Sequence, residues 1–217
     1  RSSMLIRPYE KPDRAAVREL ACATADCGKP LDWLIPDSVF LADILTRYYT
    51  DLEPESSLVA DADGRVAGYL NGCRDTSLWR VRMARRILPA AVAMALWRGL
   101  AWRPEIRRLL RLNWREYSWH CHGGAPRLEA YPAHLHVNVA AGARGGGLGA
   151  RLVERFLDDL RLAGVPGVRA SVRADNKPGL DFFRRLGFEE AARIPGLRVR
   201  EDEKWTSVIL ARRVAGA

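Results

Sequence analysis

The chain has 217 residues, of which 48% are hydrophobic and 28% charged, enough apolar material for one sizeable core and too much for a disordered chain. Its net charge of +9 comes from 35 basic and 26 acidic side chains, with only four lysines among the basic ones. An arginine-heavy coding bias accounts for this balance without a polyanionic partner, so nucleic acid is not expected.

The four cysteines, Cys22, Cys27, Cys73 and Cys121, lack framework spacing and exclude a disulfide-stapled secreted fold. No signal pattern surrounds Arg1-Ser2-Ser3-Met4, so the expected compartment is the reducing cytoplasm. The most apolar stretch, Ile87 to Leu96, is far shorter than the roughly 20 residues of a spanning helix, and no membrane partner is expected.

Met4 to Arg7 reads as a strand. An amphipathic helix opens at Pro12-Asp13 with Val17, Leu20 and Ala21 on one face. A second helix starts from Asp37 as N-cap and runs through Phe40, Leu41, Ile44 and Leu45 to Tyr48-Tyr49. Ser57 to Ala60 and Val66 to Leu70, separated by Asp61-Ala62-Asp63-Gly64, predict an antiparallel hairpin.

The texture changes between about 76 and 119. Long helical runs appear there, with expected breaks at Pro89 and Pro104 and five tryptophans (79, 97, 102, 114 and 119). Between Arg74 and Trp119, eleven arginines face three acids, so the net charge is concentrated in what reads as a helical insertion into a single domain spanning 1–217. Its structural reading is a solvated helical face with an apolar back, and its functional one an arginine-rich binding patch. Beyond it come a strand at Ala133 to Val139, a helix from Gly147 to Ala163 ended by Gly164, and a strand at Val168 to Val172. A short helix from Lys177 to Leu186 and two strands near Phe188 to Arg193 and Trp205 to Leu210 follow.

The segment Val137-Asn138-Val139-Ala140-Ala141-Gly142-Ala143-Arg144-Gly145-Gly146-Gly147-Leu148-Gly149-Ala150 is a strand, a glycine-rich loop and a helix start. Glycines clear space for a ligand, and the free N–H groups of a helix start turn positive partial charge toward an anion such as a pyrophosphate. The loop lacks the Gly-Lys-Ser/Thr ending of a nucleotide P-loop and the downstream acid of a dinucleotide fold.

Arg144-Gly145-Gly146-Gly147-Leu148-Gly149 resembles the pyrophosphate loop of the GNAT acyltransferases: Arg or Gln, two residues, Gly, one residue, then Gly or Ala. Downstream, Asn176-Lys177-Pro178-Gly179-Leu180-Asp181-Phe182-Phe183-Arg184-Arg185-Leu186-Gly187-Phe188 resembles the family's asparagine, helix, aromatic pair and Gly-Phe ending. The resemblance implies an α/β GNAT fold: a mixed central sheet with splayed strands, flanked by helices, here with the helical insertion. It also implies acetyl-CoA as cosubstrate, no metal, and an amine acceptor whose identity is open, handled by a monomer or homodimer. Arg144 through Ala150 are then expected at the pyrophosphate, the main chain of Val137 and Val139 at the pantetheine and acyl carbonyl, and Asn176, Phe182 and Phe183 along the pantetheine arm. Pro132 to Val137 resembles a narrower bacterial group, similar to the acetyltransferase-like C-terminal region of eukaryotic O-GlcNAc hydrolases.

The chemistry needs a base for the amine and a proton for the departing thiolate. Strand alternation places His134, His136 and Asn138 on one face, so either histidine is a candidate base, or else satisfies neighbouring backbone. Many relatives carry a tyrosine four residues before the Gly-Phe glycine; here that residue is Phe183, which has no acidic hydrogen. The chain is therefore read as an N-acetyltransferase, with a coenzyme-binding module of little turnover as the alternative. The insertion, with Trp79, Trp97 and Trp102, is expected to border the acceptor side. His120-Cys121-His122 has no second ligand pair and is not read as a metal site.

Overall fold

The computed structural model describes residues 4–33, 35, 37–108, 128–198 and 204–214. Trp114, Trp119 and His120-Cys121-His122 lie outside the described residues. The strands are β1 (Met4–Pro8), β2 (Ser57–Ala62), β3 (Arg65–Cys73), β4 (Ala133–Val139), β5 (Gly167–Arg173), β6 (Glu189–Arg198) and β7 (Lys204–Arg213). The helices that position the site are α1 (Arg14–Thr24), α2 (Ser38–Arg47), α3 (Thr76–Arg82), α4 (Leu88–Trp97), α5 (Leu148–Leu162) and α6 (Lys177–Arg185).

One seven-stranded sheet runs in the order β1-β2-β3-β4-β5-β7-β6. All neighbours are antiparallel except β4 and β5, which run parallel and pair only at Ala133 with Val168 and His134 with Arg169. Beyond that point the two strands part. This is the mixed sheet with splayed strands that the resemblance implied.

α5 carries Leu148, Leu152, Val153, Phe156, Leu157 and Leu160 on one side and buries them against Leu70, Leu135, Val168, Ala170 and Leu210 of the sheet. Each such large side chain contributes about 1.5–3 kcal/mol on burial. The contact is so close at β3 that a Cβ on Gly72 would stand 2.3 Å from Phe156 Cε2 and 2.4 Å from the Ser56 carbonyl oxygen. Only glycine fits there.

α1 and α2 cover part of the opposite face. Val17 and Ala21 of α1 pack with Tyr9, Val59 and Tyr69, while Phe40 and Leu41 of α2 pack with Ala91 and Ala95 of α4. Asp37 caps α2 as its spacing predicts, accepting from Phe40 N at 2.9 Å, and Arg98 at the end of α4 donates to the same carboxylate at 2.9 Å. The expected break at Pro89 is not there. A π-type turn at Met83–Ile87 joins α3 to α4, and Pro89 falls in the first turn of α4, where its missing N–H is no loss.

Candidate functional site

The splay leaves main-chain groups without a strand partner. Ala140 N donates to Ala67 O at 2.9 Å, in register with the β3–β4 pairing of Gly68 with Val139 and Tyr69 with Asn138. Alternation along an antiparallel ladder then turns the main chain of His134, His136 and Asn138 toward β3 and that of Leu135, Val137 and Val139 toward β5. Past residue 134 there is no β5 to meet them, so the Val137 and Val139 groups face the gap. The Val139 carbonyl accepts from Arg144 Nε at 3.1 Å.

The loop after β4 makes a bare concavity. Gly145 and Gly147 have φ of +85° and +74°, a region that other residues enter only at a cost. A Cβ at Gly142, Gly145, Gly146 or Gly147 would meet nothing within 4 Å. Gly147 is the N-cap of α5 and provides no side-chain cap, the first helical bond being Arg151 N to Gly147 O at 3.1 Å. The N–H groups of Leu148, Gly149 and Ala150 therefore stand at the open start of the helix. Leu148 itself anchors the start in the core.

Two loop residues also make contacts within the protein. Arg144 turns its guanidinium back onto the protein, reaching Val139 O through Nε and Gly28 O through Nη2, each at 3.1 Å. Gly149 is needed for packing, since a Cβ there would lie 3.3 Å from Phe182 Cζ and 3.6 Å from Val139 Cγ2. The small residue at this position lets α5 and α6 approach.

Across the gap, Asn176 caps α6 by accepting from Gly179 N at 3.1 Å. The rings of Phe182 and Phe183 lie 5.0 Å apart, and those of Phe183 and Phe188 5.2 Å apart. Phe183 is buried and lines the cavity, so no hydroxyl enters from this position.

A cavity of about 570 Å³ fills the opening, its lining including Val137, Val139 and Asn176 as well as Tyr49, Trp79 and Met83. Trp79 joins its wall as expected of the insertion. Trp97 and Trp102 do not, being 85% and 74% exposed.

The two histidines of β4 have different surroundings. Thr76 Oγ1 donates to the Pro132 carbonyl at 2.6 Å and contacts His134 Nδ1 at 2.8 Å, which makes that nitrogen the N–H donor. The Tyr49 hydroxyl therefore donates to His134 Nε2, 2.9 Å away. Both nitrogens of His134 are spent. Burial, followed by electrostatic repulsion from His136, Arg169 and Arg80, holds its pKa well below the ordinary histidine value.

His136 makes no ring hydrogen bond among the described residues and is exposed to the cavity. Protein mass encloses that cavity, and the enclosure lowers the His136 pKa, so the ring is neutral at neutral pH. Its edge meets the rings of Tyr49 and His134 at 5.7 Å and 5.9 Å between centroids. Asn138 is committed elsewhere, its Nδ2 donating to the buried Tyr69 hydroxyl at 2.8 Å.

Tyr49 and Thr76 have no counterpart among the residues the sequence singled out. Tyr49 sits in a π-type turn, Tyr48–Leu52, that prolongs α2. Tyr48 anchors this turn by donating to Glu53 Oε2 at 2.6 Å, while Glu53 Oε1 accepts from Ser56 Oγ and Arg74 N at 2.9 Å and 2.8 Å. Burial raises the Tyr49 pKa well above its ordinary value, so its hydroxyl stays protonated. The only sequence signal was the aromatic pair ending an apolar helix.

Residues 114–188 match the model of the Acetyltransferase (GNAT) family. The fold is similar to that of SsHAT, with 30% sequence identity and a TM-score of 0.78 over 98% of this chain and 99% of that one. It is also similar to yncA from Salmonella typhimurium, solved with its cofactor acetyl-CoA, at 18% identity and a TM-score of 0.59 over 99% of this chain and 95% of that one. A mycothiol acetyltransferase from Saccharomonospora viridis is 42% identical over 67 residues, or 31% of this chain, and the match spans only 21% of that protein. The splayed strands, the bare loop at a helix start and these likenesses agree, and the chain belongs to the GNAT acetyltransferase family.

Proposed function

We propose that the chain transfers an acyl group, acetyl in the simplest case, from coenzyme A to a primary amine. The observation that carries this reading is the cavity in the β4–β5 gap, lined by Val137, Val139, Arg144 and Gly149 at the base of the bare glycine loop, with the neutral His136 facing it. Open space at Gly145, Gly146 and Gly147, beside uncapped helical N–H groups, suits a pyrophosphate. The main chain of Val137 and Val139 suits the pantetheine amide and the acyl carbonyl, with Asn176, Phe182 and Phe183 along the far wall. Bound there, the coenzyme supplies an activated thioester.

His136 is the base in this reading, because His134 already spends both nitrogens on Tyr49 and Thr76. It takes the proton from the amine as the N–C bond forms and the C–S bond breaks. The departing thiolate takes its proton from cavity water, since Phe183 has no acidic hydrogen and the Tyr49 hydroxyl is given to His134. The aromatic wall of Tyr49 and Trp79 suits an acceptor with an apolar spacer. The whole chain serves this reaction as one cytoplasmic domain, monomer or homodimer, and Pro132 to Val137 supports the narrower kinship with the acetyltransferase-like region of O-GlcNAc hydrolases.

The buried Phe183 favours a second reading, a coenzyme-binding module with little turnover. Calorimetry with acetyl-CoA tests the shared premise. Gly146→Trp fills the concavity at a residue whose φ is not left-handed. Binding by the natural chain that is lost in this variant supports the coenzyme site, and thiol release in an amine screen then separates enzyme from module. Absence of binding by the natural chain refutes both.

A further inference from the structure

We propose that Arg80 and Arg169 form an anion subsite beside His134 that docks a carboxylate or phosphate carried by the acceptor amine; this rests on the acyl-transfer reading above. The β4–β5 register sets Arg169 directly against His134. Alternation puts Arg169 and Ser171 on the same sheet face as His134 and His136, and Ser171 and His136 both line the cavity. Arg80 approaches from α3. Thr76 of that helix touches His134 Nδ1 at 2.8 Å, the Trp79 ring lies 5.2 Å from the His134 ring, and Arg80 follows Thr76 by one helical turn.

Both arginines are half-buried, and neither side chain makes a hydrogen bond or ion pair among the described residues. Several other arginines are matched by carboxylates: Arg7 with Asp13 and Asp61, Arg14 with Asp51, Arg98 with Asp37, and Arg173 with Asp26 and Asp175. Two half-buried cations that repel each other are a poor arrangement until an anion joins them. Burial and the nearby Arg80 charge accordingly lower the Arg169 pKa. A guanidinium pair meets a carboxylate or phosphate through charge-assisted hydrogen bonds.

The same positions limit the acceptor's length. A strand rises about 3.3 Å per residue, so His136 lies about 7 Å along β4 from His134. An acceptor held at Arg80 and Arg169 with its amine at His136 has several bonds between the two groups, as in a short ω-amino acid or an aminoalkyl phosphate.

The test compares 5-aminopentanoate, aminobutyl phosphate and the uncharged 5-aminopentanamide by thiol release from acetyl-CoA. The expected result is a KM at least about tenfold lower for an anionic amine than for the amide, the scale of one charge-assisted contact. The better of the two anions identifies which group the site takes. Arg169→Gln and Arg80→Gln are expected to erase the preference and Arg169→Lys to keep part of it, all with the acetyl-CoA KM unchanged. Equal KM values for amide and anions, or a preference that survives Arg169→Gln, overturn the proposal. Inorganic phosphate binding to the coenzyme-saturated protein is measured alongside; if no amine is acetylated, its loss in Arg169→Gln supports the subsite and its persistence refutes it. Acetyl-CoA calorimetry fails independently if the coenzyme assignment is wrong.

Discussion

Replacing Tyr49 by Phe tests the chain of contacts behind the site. The ring is 4% exposed, and its edge contacts at 5.3 Å with Tyr48 and 5.7 Å with His136 do not involve the hydroxyl, so Phe keeps them. What is lost is the donor at 2.9 Å from His134 Nε2. A buried acceptor left without its donor costs about 1–3 kcal/mol. For a domain of about 150–250 residues each kcal/mol lowers Tm by about 2–4 °C, which predicts a fall of about 2–12 °C for Tyr49→Phe. The same ring is held from its other side by Thr76 at 2.8 Å, so Thr76→Val and Tyr49→Phe act on a common partner. Their effects are expected to depart from additivity by about 0.5–3 kcal/mol. Thermal and denaturant unfolding of the two single variants and the double variant complete the cycle. A Tyr49→Phe protein that melts within about 1 °C of the natural chain, or strict additivity, refutes the relay from Tyr49 through His134 to Thr76.

His136→Gln is expected to lower kcat by about 10²–10⁴, the range for a lost general base, while acetyl-CoA binding by calorimetry stays intact; an active variant removes His136 from the chemistry. In the natural enzyme the lowered pKa means that kcat/KM for the amine is level through neutral pH and falls only below the ordinary histidine value of about 6.5. Stability follows the same sign. Both β4 imidazoles stay neutral in the folded chain to lower pH than in the unfolded one, so below about 6.5 the unfolded state binds more protons and stability drops. Tm measured from pH 7 to pH 5 should fall, and less steeply in His134→Gln; a flat profile contradicts the enclosure of these rings. Phe183→Tyr offers a hydroxyl at the cavity wall and is expected to raise kcat where thiolate protonation limits turnover, as read by steady-state thiol release; an unchanged kcat assigns that proton to water.

Local features of the sequence translated directly. Asp61 to Gly64 makes the hairpin turn, with Asp63 and Gly64 at φ of 52° and 83° and Gly64 N bound to Asp61 Oδ1 at 2.7 Å. Asp37 and Asn176 cap their helices, and the glycine loop opens α5, because each is decided by residues within a few positions. The proposed base was harder to read. His134 and His136 look alike on an alternating strand, and what separates them are contacts from Tyr49 and Thr76, 85 and 58 residues away in the chain. No short-range pattern encodes such distances. Likewise the motif arginine Arg144 was recognisable, but not its turn toward Gly28, a contact across 116 residues.

The cavity divides along the chain. Tyr49, Trp79 and Met83 come from the segment before β4, whereas Arg144, Gly149, Asn176 and the phenylalanine pair come from the segment after it. The two groups meet across β4, which offers side chains of His136 and Asn138 on its polar face and main chain of Val137 and Val139 at the gap. The division is not complete, because Gly28, also before β4, lines the cavity and accepts from Arg144 of the loop. Under the proposed function, grafting the stretch from α2 through α4 between relatives is expected to exchange acceptor preference while acetyl-CoA binding is kept.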